Sequence, residues 1–197
     1  MTRRTLAAAA AATVTLAAVA AWAATPKYYF QMQPVKAGPE IDPALKTFTA
    51  DALKAELASR PEWASDVGPA GQAGPGQDRT ALVAELKQRK LRGFDVTARI
   101  EELKHEVKDP KPGARNRQLA VEVQLTVFGT TIPDAKLAFS GDGQSASEAE
   151  VSERRMAADT TDTVHDVIKD AIKQAVDQAV FKLSSASPGP PGKHHRK

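Results

Sequence analysis

Carboxylates and imidazoles are the groups in this sequence that could do chemistry, because the 197-residue chain contains no cysteine. Without thiols there is no disulfide, no thiolate metal site and no thiol nucleophile. Glu101-Glu102 is the most prominent acidic pair, and paired carboxylates perform general acid-base work when their surroundings separate their pKa values. The pair falls in a segment of alternating polarity, where neighbours point to opposite faces. A solvated strand edge is therefore expected there, with a shared site only if a bulge turns both side chains the same way.

Four histidines are present. His105 sits near the end of an alternating segment and His165 near the start of a helical one, neither with a second ligand at a spacing such as i to i+4. His194-His195 lies in a terminal basic stretch that imposes no coordination geometry. Asp159, Asp162, Asp166 and Asp170 recur every three or four residues and would share a helical face, but Lys169 and Lys173 interleave with them. Ordinary exposed ion pairs are expected. No G-x-S-x-G elbow, P-loop or G-x-G-x-x-G follows a strand. The expectation is a non-enzyme with no catalytic residue, no metal ligand and no cofactor.

The elements that would carry these groups can be read from periodicity. Tyr28, Phe30 and Met32 alternate with polar residues, predicting a strand over 27–36. Asp42-Pro43 is an N-cap followed by a first-turn proline, and Leu45, Phe48, Ala52, Leu53 and Leu57 mark one helical face up to Pro61. Residues 68–76, Gly-Pro-Ala-Gly-Gln-Ala-Gly-Pro-Gly, are three collagen-like triplets. That is too few for a triple helix, so a solvated flexible loop is expected. A second helix runs from about Asp78 to Leu91 with Leu82, Val83, Leu86 and Leu91 inward, and Gly93 is placed to end it.

From Phe94 the period changes to two. Phe94, Val96, Ala98 and Ile100 lie on one side, which shifts to Leu103, His105 and Val107, as a bulge near Glu101-Glu102 would cause. Leu119, Val121, Val123, Leu125 and Val127 form a second strand, predicted to pair antiparallel with the first. Leu137 and Phe139 begin another, and Asp142-Gly143 reads as a hairpin turn with Gln144 to Val151 as its polar return strand. The longest helix closes the chain, with Val164, Val167, Ile168, Ala171, Ile172, Ala175, Val176, Ala179, Val180 and Leu183 inward. Strands grouped between helices predict an α+β fold, an antiparallel sheet of about four to five strands with helices packed on one face and a long C-terminal helix.

The ends have a different character. Arg3-Arg4 precedes a small and apolar run from Leu6 to Ala24 that ends in Ala21-Trp22-Ala23. This is the layout of a signal peptide over residues 1–23, with cleavage between Ala23 and Ala24; an uncleaved anchor is the alternative. The expected location is periplasmic or secreted, with no stable membrane span after cleavage. Lipid attachment at the site is excluded by the absence of cysteine. Residues 24–186 are expected to form a single α+β domain and residues 187–197 a disordered basic tail.

The whole chain carries +3; without Arg3 and Arg4 it is +1, and without Lys193, Arg196 and Lys197 as well it is −2. No basic surface remains on the body, and the aromatic residues are too scattered for base stacking, so nucleic acid is not an expected partner. The tail itself could attract an acidic envelope polymer through its positive charges.

A family resemblance is carried by Leu91-Arg92-Gly93-Phe94-Asp95-Val96-Thr97-Ala98-Arg99-Ile100, by Leu119 through Val127, by Ala138-Phe139-Ser140-Gly141-Asp142-Gly143 and by the terminal helix. In order of elements, residues 43–183 resemble a bacterial envelope domain found in YajG-like lipoproteins, LpoB penicillin-binding-protein activators, CsgG curli-secretion proteins and the N-terminal domain of TolB. The resemblance implies an interaction or assembly module without an active site. The function expected is an exported, non-enzymatic binding or assembly module of the cell envelope whose partner is another envelope protein, held on a sheet edge or on the exposed helix face, with Gln144 to Val151 the foremost edge. The alternative is a small periplasmic hydrolase or ligand carrier with a pocket between sheet and helices.

Overall fold

In the computed structural model, which describes residues 27–64, 66–72, 77–110 and 116–185, the chain builds an α+β fold around one five-stranded sheet. In chain order the elements are β1 (Tyr28–Met32), α1 (Pro43–Ala58), β2 (Trp63–Ala64), a 3-10 turn (Gly68–Gln72), α2 (Thr80–Gln88), β3 (Arg92–Lys108), β4 (Arg117–Thr131), β5 (Leu137–Val151) and α3 (Met156–Ser185). The strand order is β2-β1-β3-β4-β5. The leader with its Ala23-Ala24 junction, residues 73–76 of the glycine-proline loop and the basic tail from 187 lie outside the described residues.

Three long strands dominate, and their pairing is antiparallel, β3 with β4 and β4 with β5. β1 is parallel to both β2 and β3, which makes the sheet mixed, because the chain crosses over through α1, β2 and α2 between β1 and β3. The register of β3 against β4 shifts between Ile100 and Glu102, so Glu101 is the extra residue of the expected bulge. The shift changes which parity faces inward: Phe94, Val96, Ala98 and Ile100 before it, with Leu103 and Val107 packed against the core after it.

α1 begins as its sequence requires, with Asp42 Oδ1 accepting from the Ala44 amide at 2.7 Å and Pro43 in the first turn. α1 and α3 share one face of the sheet and bury Leu53, Leu57, Ile168 and Ile172 over Phe94, Leu119 and Leu125. Arg60, just after α1, ties them together through Glu56 and Asp177 at 2.6 Å each. Burial opposes the guanidinium charge, but the hydrogen bonds it donates to Asp177 and Glu56, with their negative charges, outweigh this and raise the Arg60 pKa.

α2 lies on the other face, where Leu82 and Leu86 pack with Tyr29 and Val67. Alternation along β1 explains the split, since Tyr28 joins the large core and its neighbour Tyr29 the small one. Gly93 does not end α2. Lys90 takes the left-handed position at φ 57°, and the Leu91 amide reaches back to the Leu86 carbonyl at 2.9 Å. Gly93 instead belongs to β3, where an added Cβ would meet Leu86 Cδ1 at 2.5 Å.

The hairpin expected at Asp142-Gly143 is absent. β5 runs straight through these residues, with Gly143 opposite Leu125 and Asp142 opposite Thr126. The glycines serve close approach and not a turn: a Cβ on Gly141 would overlap the Ala175 carbonyl oxygen and lie 2.8 Å from the Ala179 amide nitrogen. A Cβ on Gly143 would overlap the Ala171 carbonyl oxygen and lie 3.1 Å from the Ala175 nitrogen. The hairpin that does form joins β4 to β5 through residues 132–136, with a cis peptide at Ile132-Pro133.

Gly141→Ala or Gly143→Ala must therefore lift α3 from β5, and each is expected to cost about 2 kcal/mol or more by overpacking. Ser145→Ala, on the same strand and face, should change stability by less than about 0.5 kcal/mol. Urea unfolding of the three variants measures this difference; glycine variants as stable as the serine variant would show that the close seat is not required.

Candidate functional site

The structure separates some of the sequence candidates and unites others. Glu101 and Glu102 part at the bulge into different surface ion pairs, Glu101 with Arg99 at 3.8 Å and Glu102 with Lys104 at 2.5 Å. The hydrogen bond and charge of Glu102 raise the Lys104 pKa. Two carboxylates so engaged do not share a substrate. Of the acidic run on α3, Asp159 pairs with Arg155 and Asp166 with Lys169, at 3.3 and 3.2 Å, as i to i+3 and i+4 spacing dictates.

His105 and His165, sixty positions apart in sequence, line one groove of about 510 Å³ between the start of α1, β3 and the start of α3, together with Asp42, Phe48 and Thr161. No sequence signal could reveal this, because it depends on α3 folding back across β3. The His165 ring stacks on Phe48 with centroids 3.7 Å apart and planes at 12°. Among the described residues no group of three or more histidine or acidic side chains is arranged to hold a metal ion. His194-His195 lies outside those residues.

The most enclosed ion pair is Arg79 with Asp95, a two-pronged contact at 2.6 and 3.1 Å, with Gln33 Nε2 donating to the same carboxylate at 2.8 Å. It joins the residue before α2 to β3 and to the segment after β1, so all the prongs are spent on holding elements together. A cavity of about 260 Å³ opens beside β1, lined by Phe30, Met32, Lys54, Leu57 and Trp63. The Trp63 indole Nε1 is buried without a hydrogen-bond partner among the described residues.

The free edge of β5 is the most extended feature. The Asp142 amide donates to Gln178 Oε1 on α3 at 3.2 Å, so it points away from β4. Peptide groups alternate sides along a strand, and those of Gln144, Ala146, Glu148 and Glu150 therefore point outward as well. Among the described residues no strand lies beyond β5. The side chains of the same even-numbered residues lie on the face away from α3, where Glu148 of β5 stands diagonal to Glu122 of β4 and Asp142 and Glu150 lie further along the same strand. None of these four carboxylates has an ion pair among the described residues; Glu122 and Glu150 accept only from the amides of Gln144 and Asn116. The cations on that face belong to β3: Lys108 is paired with Glu106, and Lys104 is paired with Glu102 and also stands opposite Glu122, whose charge helps to raise its pKa. Leu137, at the start of β5, and Phe181, a turn beyond Gln178, are large apolar side chains left exposed.

No family model and no curated protein matches the chain. Among solved structures it is similar to a minor lipoprotein from Acinetobacter baumannii, 9% identical with 81% of this chain and 91% of that one covered, at a TM-score of 0.41. It is also similar to a Xanthomonas campestris protein of the DUF330 family model, 8% identical over 82% and 84%, at 0.41. Lipoprotein GNA1162 from Neisseria meningitidis is 10% identical over 72% of this chain and 98% of that one, at 0.36. At these values the likeness decides nothing about activity, partner or location.

If the Arg79–Asp95 contact is structural, as its partners indicate, Arg79→Ala and Asp95→Ala should each cost about 2–3 kcal/mol, and the double variant clearly less than the two together. A double-mutant cycle by urea unfolding measures the coupling; additive losses would mean that the two side chains act independently.

Proposed function

We propose that this chain is an exported, non-enzymatic binding module of the bacterial cell envelope that holds an extended segment of a partner protein along the free edge of β5. The observation that carries this reading is the row of outward peptide groups at Gln144, Ala146, Glu148 and Glu150, a template for strand addition. The export signal read over residues 1–23 supplies the compartment, and among the described residues no helix is long and apolar enough to cross a membrane. A partner brought to this edge would gain main-chain hydrogen bonds for affinity and side-chain contacts for specificity.

The cavity beside β1 favours a second reading, a carrier of a small apolar ligand bearing an acceptor for the Trp63 indole. Native mass spectrometry of protein purified from cells separates the two: a co-purifying small molecule supports the carrier.

The absence of cysteine makes the binding reading easy to test in place. Single cysteines at Ala146, on the edge, and at Lys87, on α2, can be loaded with a photocrosslinker after expression of the full chain in a Gram-negative host. The expected result is a processed soluble species beginning at Ala24, with a discrete adduct to one envelope protein from the Ala146 position alone. Equal capture from both positions, or a full-length chain retained in the cytoplasm, would refute the proposal.

A further inference from the structure

We infer that the segment taken up by β5 alternates Lys or Arg with Gly, Ala or Ser, its cations facing the acidic strip and its small residues facing α3. This rests on the reading of β5 as a binding edge and goes on to name the chemistry of what binds. A strand added 4.7–4.9 Å away keeps the facing of its neighbour. Residues opposite Gln144, Ala146, Glu148 and Glu150 would then lie on the face that carries Asp142, Glu148 and Glu150, three carboxylates of β5 with no ion pair among the described residues, while Glu122 behind them already faces Lys104. Opposite charges in cross-strand positions are stabilising and like charges destabilising, so that face selects cations.

The other face selects by size. α3 sits directly on β5, its backbone against Gly141 and Gly143, and a helix with its side chains is about 10–12 Å wide. Its flank therefore overhangs the position of an added strand, as Gln178 shows by reaching the outward Asp142 amide. β5 itself meets this constraint with Ser145, Ser147 and Ala149 on the helix side. An incoming strand shares the same ceiling, so its residues there must be small.

The same geometry opposes antiparallel pairing with a second copy of the chain. Antiparallel pairing of β5 with its twin would put both α3 helices on one face with axes roughly a strand spacing apart, about 5 Å, where packed helices need 8–10 Å. The chain's own basic tail matches the charge but not the pattern. Pro188, Pro190 and Pro191 have no amide to give to a ladder, and Lys193 to Lys197 has no small residue among them.

Three synthetic peptides test the inference against the full mature chain: Lys-Ser-Lys-Ala-Arg-Ser-Lys, the same with leucine at each small position, and the same with glutamate at each basic position. Affinity is read by titration at low and high salt, and amide exchange by NMR. The basic-small peptide should bind, slow exchange at Gln144, Ala146, Glu148 and Glu150, weaken as salt rises, and lose about tenfold in affinity to Glu148→Lys/Glu150→Lys. Equal binding and protection by the leucine or glutamate peptide would overturn the pattern while leaving the edge as the binding site. Protection of the four amides by none of the peptides would overturn both. If those amides are already protected in the full chain and become exposed on truncation after Ser187, the occupant is the tail and the inference fails.

Discussion

The backbone of α3 rests against the backbone of β5 at Gly141 and Gly143, and this contact shapes the molecule. Ala171, Ala175 and Ala179 on the helix meet glycines on the strand, so the two elements approach without side chains between them. Larger residues are displaced to the middle of the sheet, where Phe94, Leu119 and Leu125 are fully buried beneath α1 and α3. Phe139 lies across Gly129 on β4, filling the place that a Cβ there would occupy. A long helix thus ends up over the outermost strand, leaving that strand's outer edge uncovered while roofing the space beside it.

That arrangement accounts for two properties that would otherwise conflict. A fifteen-residue edge strand invites pairing with other chains, yet the overhang of α3 and the acidic face restrict which chains fit. Gln178 closes one outward amide at Asp142, and beyond it no described strand covers the edge. Restriction by shape on one face and by charge on the other is how an edge can bind selectively without a deep pocket.

Much of this was legible in the residues. Asp42-Pro43, the alternation of β4, the bulge at Glu101 and the inward face of α3 each follow from local chemistry, and each stands where periodicity puts it. Asp142-Gly143 misled because the same dipeptide serves a turn and a close approach, and only the helix arriving from thirty residues downstream decides between them. The parallel pairing of β1 and the placing of α2 on the opposite face depend on a crossover, which hydrophobic pattern does not encode. The polar alternation of Gln144 to Val151 reads as an edge strand, although as the return arm of a hairpin that does not form. The acidic strip was not legible at all, since Glu122 joins Asp142, Glu148 and Glu150 only through the β4–β5 register.

An open edge on β5 leaves a signature in the amide exchange of the free protein. The odd-numbered amides of Gly143, Ser145, Ser147 and Ala149, which point into the ladder with β4, should be strongly protected. Those of Gln144, Ala146, Glu148 and Glu150 should exchange orders of magnitude faster, with Asp142 intermediate because Gln178 accepts from it. Uniform protection along Gly143 to Glu150 would contradict the account, because the edge would then already be covered.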